Sequence, residues 1–225
     1  MSDSENKITI RLNPDERIEP LDENHSIIQS VSGYRFGSDA VALSKFAGEC
    51  VKKSDKIFDL CSGCGVVGIL LAIETGCAVE GAELDTSLFD MSVRSCELNG
   101  LDNVRFYNAD IRDLSDTAGA CAYDAVVCNP PFFKADSRMR KVAPTANSEL
   151  TVMFYDVVKA AKRLLKVGGA LYLVHTSSRL DEVLSACRSG GLTPKNLTVN
   201  GNGKTFLLRA VKGGKDGLTV TVKEF

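Results

Sequence analysis

Ile57-Phe58-Asp59-Leu60-Cys61-Ser62-Gly63-Cys64-Gly65-Val66-Val67-Gly68 is the stretch on which the fold of this chain turns. A short β-type run ends in a glycine-rich turn, and the turn opens an apolar segment through Ile69 to Glu74 that reads as a helix. The same unit then repeats. Ala78 to Glu83 reads as a second strand, followed by a helix from about Ser87 to Asn99 that Gly100 terminates. Val104-Arg105-Phe106-Tyr107 is a third strand and Ala125-Val126-Val127 a fourth. A helix from near Leu150 to Lys166 places Val152, Tyr155, Val158, Ala161 and Leu165 on one side. Its basic end, Lys162, Arg163 and Lys166, complements the helix dipole before Gly168-Gly169 stops it. Ala170 to Val174 is a fifth strand. A helix around Leu180 to Arg188 then precedes two late strands, near Asn196 to Val199 and Thr205 to Val211. Only Asn200-Gly201-Asn202-Gly203-Lys204 separates that pair, a hairpin signal that makes one strand antiparallel. Such alternation predicts an α/β fold, a doubly wound, mostly parallel sheet of seven strands with helices on both faces.

Upstream of this unit the chain is acid-rich for its first 30 or so residues. Lys7-Ile8-Thr9-Ile10-Arg11-Leu12 alternates like a short strand, and a second strand-like piece surrounds Ile27-Ile28-Gln29. Ser38-Asp39 reads as the cap of a helix whose Ala40, Val41, Leu43, Phe46 and Ala47 form one apolar face. The expected organisation is an N-terminal extension over 1–35 and a single domain over 36–225.

Composition is that of an ordinary globular chain: 225 residues, 44% hydrophobic and 25% charged. A net charge of −2 argues against nucleic-acid binding through overall charge, while leaving room for a local basic patch. The polar start Met1-Ser2-Asp3-Ser4-Glu5-Asn6-Lys7 carries no secretory signal. The longest apolar run, roughly Val66 to Ile73, falls far short of the ~20 residues that span a bilayer. A soluble, cytoplasmic, monomeric protein is the expectation. The eight cysteines lie mostly inside apolar segments, where a free thiol behaves as a small buried hydrophobe. Cys61-Ser62-Gly63-Cys64 has no second pair to complete a metal site, so no metal is expected.

The glycine turn contains G-x-G-x-x-G at Gly63, Gly65 and Gly68, so a dinucleotide site must be weighed. Glu83 lies eighteen residues beyond Gly65, at the end of the second strand, where a carboxylate takes ribose hydroxyls. Two details favour S-adenosylmethionine (SAM) over a nicotinamide cofactor. Asp59 precedes the glycines, where a pyrophosphate would be repelled but an amino group and a sulfonium are attracted. Asn108-Ala109-Asp110 closes the third strand with a carboxylate suited to an adenine amine, although Asp110 also reads as a helix cap for Ile111 onward.

Tyr123 to Cys128 runs into Asn129-Pro130-Pro131-Phe132. Two prolines cannot continue a strand, since neither has an N–H and both fix φ. The chain is thus stiff where an open α/β sheet places its ligand. Asn129 offers a side-chain oxygen, Pro130 a free carbonyl and Phe132 an aromatic face, which together suit a planar group bearing NH2. An aromatic plug of the sheet edge is the lesser alternative for Phe132. Lys134, Arg138, Arg140 and Lys141 follow, opposed only by Asp136; they read as a solvated loop or as a grip on phosphates. His25 and His175 read as structural.

This combination resembles the class I SAM-dependent methyltransferases over roughly Ile27 to Val211. Gln29-Ser30-Val31-Ser32-Gly33-Tyr34-Arg35-Phe36-Gly37-Ser38-Asp39-Ala40-Val41 and Gly65-Val66-Val67-Gly68-Ile69-Leu70-Leu71-Ala72 are similar to the bacterial tRNA1(Val) adenine-37 N6-methyltransferase family. The resemblance implies a Rossmann-like methyltransferase fold and a tRNA substrate. It implies that Asp59, Cys61, Gly63, Gly65, Glu83, Asp110, Ile111 and Asn129 hold SAM, with Tyr34, Arg35 and Phe36 beside the cofactor. Asn129, Pro130, Pro131 and Phe132 would hold the target base. Cys61 departs from the family's usual first glycine. Thr145-Ala146-Asn147-Ser148-Glu149 likewise replaces a basic piece.

Three other readings compete. A protein glutamine N5-methyltransferase presents the same NH2 to the same acceptors, but that group normally carries a separate helical N-terminal domain. A nicotinamide-dependent oxidoreductase would use the three glycines, yet it lacks an evident hydride-transfer acid and leaves the proline motif unexplained. A non-catalytic RNA- or SAM-binding module has no need of Asn129.

Overall fold

Ile57 and Phe58 are both fully buried, on opposite faces of one strand, so β3 (Lys56–Leu60) must be covered by helices on each side. The computed structural model, which describes residues 10–33, 35–130 and 154–225, shows that arrangement. After β3 come α2 (Val66–Thr75), β4 (Ala78–Glu83), α3 (Thr86–Asn99), β5 (Val104–Asn108) and β6 (Tyr123–Cys128). They are followed by α4 (Phe154–Leu164), β7 (Leu165–Thr176), α5 (Leu180–Ser189), β8 (Leu192–Asn200), β9 (Thr205–Lys212) and β10 (Thr219–Lys223). Ahead of β3 lie β1 (Glu16–Pro20), β2 (Ser26–Ser30) and α1 (Ser38–Gly48).

The main sheet runs β10-β8-β9-β7-β6-β3-β4-β5, and β9 alone is antiparallel to its neighbours. Ile57, Val79, Val127 and Val174 join α1, α2 and α3 in the core on one face. Phe58, Leu60, Val126 and Leu173 join α4 and α5 in the core on the other. The expected α/β architecture is present, with eight strands where the sequence predicts seven. The extra strand, β10, is exposed along its whole length and pairs parallel with β8 at the sheet edge. Its alternation of Thr and Val has no buried face, so it lacks the apolar signal that marks the inner strands. No helix among the described residues is long and apolar enough to cross a membrane.

Several local expectations shift. Helix α1 begins with Gly37 at its cap position and no side-chain cap bond, so Ser38 and Asp39 are inside the helix. The Asp39 carboxyl bonds Thr205 instead. Asp85 is the capping residue that the sequence reading missed, accepting from the N–H groups of Ser87 and Leu88. Gly168 does not stop a helix. It lies within β7 at φ 84°, where the β6–β7 register slips between Tyr123 and Ala125. Residues 10–12 form no strand, and residues 7–9 lie outside the described residues. The first strand among the described residues is β1, too polar in sequence to announce itself.

Strands β1 and β2 form an antiparallel pair, and β2 packs on α3. Arg94 on α3 grips Glu16 bidentately (2.8 and 2.7 Å), and Asn13 donates to the same carboxylate from its backbone and its side chain. The Arg94 guanidinium holds Glu16 well down, at about 2 against an ordinary 4.5. A depressed carboxyl contributes its stability above the unfolded pKa and loses it as acid protonates the folded group. The melting temperature should therefore fall as pH drops from 4.5 towards 2, and Glu16→Gln should flatten that part of the profile. Parallel profiles for the two proteins would contradict this role.

Candidate active site

Strands β3, β4 and β5 step across the sheet in one direction, and β6, β7 and β9 step in the other. The reversal lies between β3 and β6, the switch point at which an open α/β sheet places its ligand, in a crevice beyond the carboxyl ends of the strands. Leu60 is level with Cys128 in the β3–β6 register, which brings Cys61 beside Asn129. The residues after β3 then fold over the sheet end. Ser62 donates its N–H to the Ala82 carbonyl at 3.0 Å, tying the loop to β4. Gly65 precedes the first turn of α2 at φ 86°.

Two carboxyl groups hold this loop, and they do so differently. Asp59 is 1% exposed, beneath the loop, and accepts from the Gly68 N–H at 3.0 Å. Burial pushes its carboxyl up to about 8, well above the ordinary carboxylate range. Through its bond to Gly68, Asp59 ties the start of α2 to the end of β3. Glu83 is half-buried at the end of β4. One of its oxygens accepts from Gly63 N–H at 2.8 Å and the other from Asp85 N–H at 2.9 Å. Burial raises its pKa, and its backbone N–H bonds oppose the rise.

Phe106, which the sequence reading passed over, shapes the loop from below. It stands opposite Gly81 in the β4–β5 register. A Cβ at Gly81 would come within 2.7 Å of its ring, and one at Gly65 within 2.8 Å. A lone glycine inside an apolar strand is the signal that points to such a close approach. Asn108 adds a further clamp, donating to the carbonyls of Glu83 and Leu84 at 2.9 and 3.0 Å.

The remaining candidates divide. Asp110 lies at the next strand end, but it caps no helix: residues 111–112 form a turn. Its carboxylate accepts from the backbone N–H of Arg112 at 2.9 Å and from that residue's guanidinium at 2.5 Å. The Arg112 side chain holds Asp110 below its ordinary pKa. Ile111 is 5% exposed and belongs to the core on the α4 side. Arg35 is exposed, 4.0 Å from Glu19, and Phe36 packs partly buried on the other core. Asn129 is half-exposed and Pro130 buried. Tyr34, Pro131, Phe132, Lys134, Arg138, Arg140 and Lys141 lie outside the described residues. All eight cysteines are free, and no cluster of potential metal ligands occurs among the described residues. His175 is buried beside Phe154 and Phe206, and burial lowers its pKa to about 4.

The model of the methyltransferase small domain family matches residues 36–187, two-thirds of the chain. This chain belongs to that family. Among curated proteins, the methyltransferase is 29% identical over 182 residues to the tRNA1(Val) (adenine(37)-N6)-methyltransferase of Porphyromonas gingivalis, covering 76% of this chain and 70% of that protein. It is 23% identical over 190 residues to the protein of the same name from Flavobacterium johnsoniae, covering 83% and 80%. Among solved structures it is similar to a predicted O-methyltransferase of Agrobacterium tumefaciens (TM-score 0.65, 22% identity, 83% of this chain and 86% of that one). It is also similar to P. horikoshii TYW2 in complex with MeSAdo (TM-score 0.66, 14% identity, 90% and 73%). The methyltransferase thus shares its sheet with proteins of several names.

Proposed function

We propose that this methyltransferase uses SAM to methylate the N6 amine of an adenine in RNA, adenine 37 of a tRNA1(Val)-type molecule. One observation carries the reading: Asn129-Pro130 follows β6 at the switch point, level with the loop after β3, and that loop is bonded through Gly63 to the Glu83 carboxylate at the end of β4. The residues fit SAM. The Glu83 carboxylate has about four acceptor sites against the three backbone N–H groups bonded to it, so it keeps capacity for a ribose hydroxyl. Glu83 and Asp85 lend this end of the sheet acidic character, which suits an amino group and a sulfonium and disfavours a pyrophosphate, while Asp110 is paired with Arg112. Bound there, SAM supplies an electrophilic methyl group.

The protein's own part is to hold and prepare the nucleophile. An exocyclic amine has its lone pair delocalised into the ring. The Asn129 side-chain oxygen and the Pro130 carbonyl would accept its two protons and turn the lone pair out of the plane. These bonds strengthen as positive charge grows on nitrogen, so they favour the transition state over the ground state. Positioning contributes much of the remainder. Phe132 would stack on the extruded base, worth about 1–3 kcal/mol. Lys134, Arg138, Arg140 and Lys141 would hold phosphates. Residues 1–35 are an extension and 36–225 the catalytic domain, which the start of the family match at residue 36 supports.

SAM at about a hundred times its Kd should stabilise the fold by about 2.7 kcal/mol, whereas NAD at equal concentration should leave the melting temperature unchanged. Equal shifts would remove the cofactor assignment. Incubation with labelled SAM and separate tRNA, rRNA and protein fractions should give N6-methyladenosine from tRNA on nucleoside mass spectrometry. Label found only in protein, as N5-methylglutamine, would replace the RNA reading with the glutamine one.

A further inference from the structure

Cys61 holds φ 56°, in the left-handed region that favours glycine and that an L side chain occupies at a cost. A cysteine is nevertheless present at the first turn position after β3, inside the loop that faces the crevice. Leu60 and Cys128 are Cα partners in parallel strands, so Cys61 and Cys128 are diagonal neighbours across β3 and β6. Cys128 is fully buried in the core on the α4 side, and Cys61 is half-buried and packs on that same core. The thiols lie close enough to interact. One is within reach of solvent and the other is enclosed, the usual division between an oxidant-sensing and a resolving cysteine. Strain retained at a functional loop points to a use for the side chain.

We propose that Cys61 and Cys128 are an oxidative modification site, at which hydrogen peroxide drives a disulfide that ties the loop to the end of β6 and closes the crevice to its cofactor. The closure rests on the cofactor reading given above; the bond itself does not. In the first step the Cys61 sulfur attacks peroxide. An S–O bond forms, the O–O bond breaks, and the departing hydroxide takes up a proton to leave as water. Cys128 then attacks the sulfenic sulfur of Cys61. The S–S bond forms, the S–O bond breaks, and hydroxide departs with the Cys128 proton as a second water. The two sulfurs lose two electrons in all and one peroxide is reduced to two waters. Burial, and then the neighbouring Cys61 thiol, hold Cys128 well above the ordinary thiol pKa, so the more accessible Cys61 is the thiol that meets peroxide first.

The test is peroxide treatment of the purified, cofactor-free protein, followed by alkylation, proteolysis without reductant and mass spectrometry. A peptide pair joined through Cys61 and Cys128, lighter by two hydrogens, is expected. S-adenosylhomocysteine affinity should fall by at least about tenfold. Dithiothreitol should restore it. Cys128→Ala should bind S-adenosylhomocysteine like the unmodified protein and keep binding after peroxide, and Cys61→Gly should give no joined pair. Recovery of both cysteines alkylated would overturn the proposal, as would disulfides confined to the exposed Cys50 and Cys121. A joined pair with unchanged affinity would overturn the closure. Failure of the reduced protein to bind S-adenosylhomocysteine at all would fall on the cofactor reading, while the peptide map still decides the thiol pair.

Discussion

Asn129→Ala should lower methyl transfer by about 10²–10³-fold, the size seen when one preorganised polar group is removed from a site of developing charge. The substitution takes away a single acceptor at the end of β6. It leaves intact the loop bonds from Ser62 to Ala82, Gly63 to Glu83 and Gly68 to Asp59. Cofactor affinity should therefore stay within about threefold, because Asn129 acts on the amine more than on the donor. The loss should appear in kcat and in kcat/KM alike, the mark of an interaction stronger in the transition state. Single-turnover transfer together with a SAM titration checks this. Turnover close to that of the unaltered enzyme would remove Asn129 from the reaction.

Gly81→Ala should damage the fold severely for so small a change. Its new Cβ would lie 2.7 Å from two atoms of the Phe106 ring and 3.0 Å from the Asp59 carbonyl oxygen. The ring is buried in the core and the carbonyl belongs to β3, so neither can retreat cheaply. Overpacking of this kind costs about 3 kcal/mol. For a domain of this size that is a fall in melting temperature of about 6–12 °C. Adding Phe106→Leu should recover part of the loss, a non-additivity expected only of residues in contact. A Gly81→Ala protein melting within about 1 °C of the parent would contradict the packing described here.

The β/α alternation was legible because strands covered on both faces are continuously apolar, and Ile57-Phe58 or Val126-Val127 can hardly be read otherwise. The hairpin before β9 was legible from its glycines. Strand β1 and strand β10 were not, since neither has a fully buried face and their side chains are polar or alternate without a core to meet. Within the site, the positions of the glycine loop, Glu83 and Asn129 followed from their places at strand ends. The raised pKa of Asp59 did not, because it is a consequence of burial that only the packing of α2 reveals. Asp110 was placed correctly at a strand end, while its engagement by Arg112 depends on a turn that no periodicity announces. Phe106 was hidden for a related reason: an aromatic in a strand is ordinary until its register partner is known to be Gly81.

The pairing of β3 with β6 also bears on how the chain reaches its final state. The bond from Lys56 N–H to the Asp124 carboxylate spans 68 residues, and the strands it accompanies carry the two halves of the crevice. Contacts of such sequence separation close slowly, since a long loop must be ordered before any of them forms. A chain emerging from the ribosome can build β3, α2, β4 and β5 as a local unit, yet that unit presents an unpaired strand edge until β6 arrives. Competence for catalysis and protection of that edge are therefore acquired in the same late step. A fragment ending before Tyr123 should be both inactive and prone to self-association.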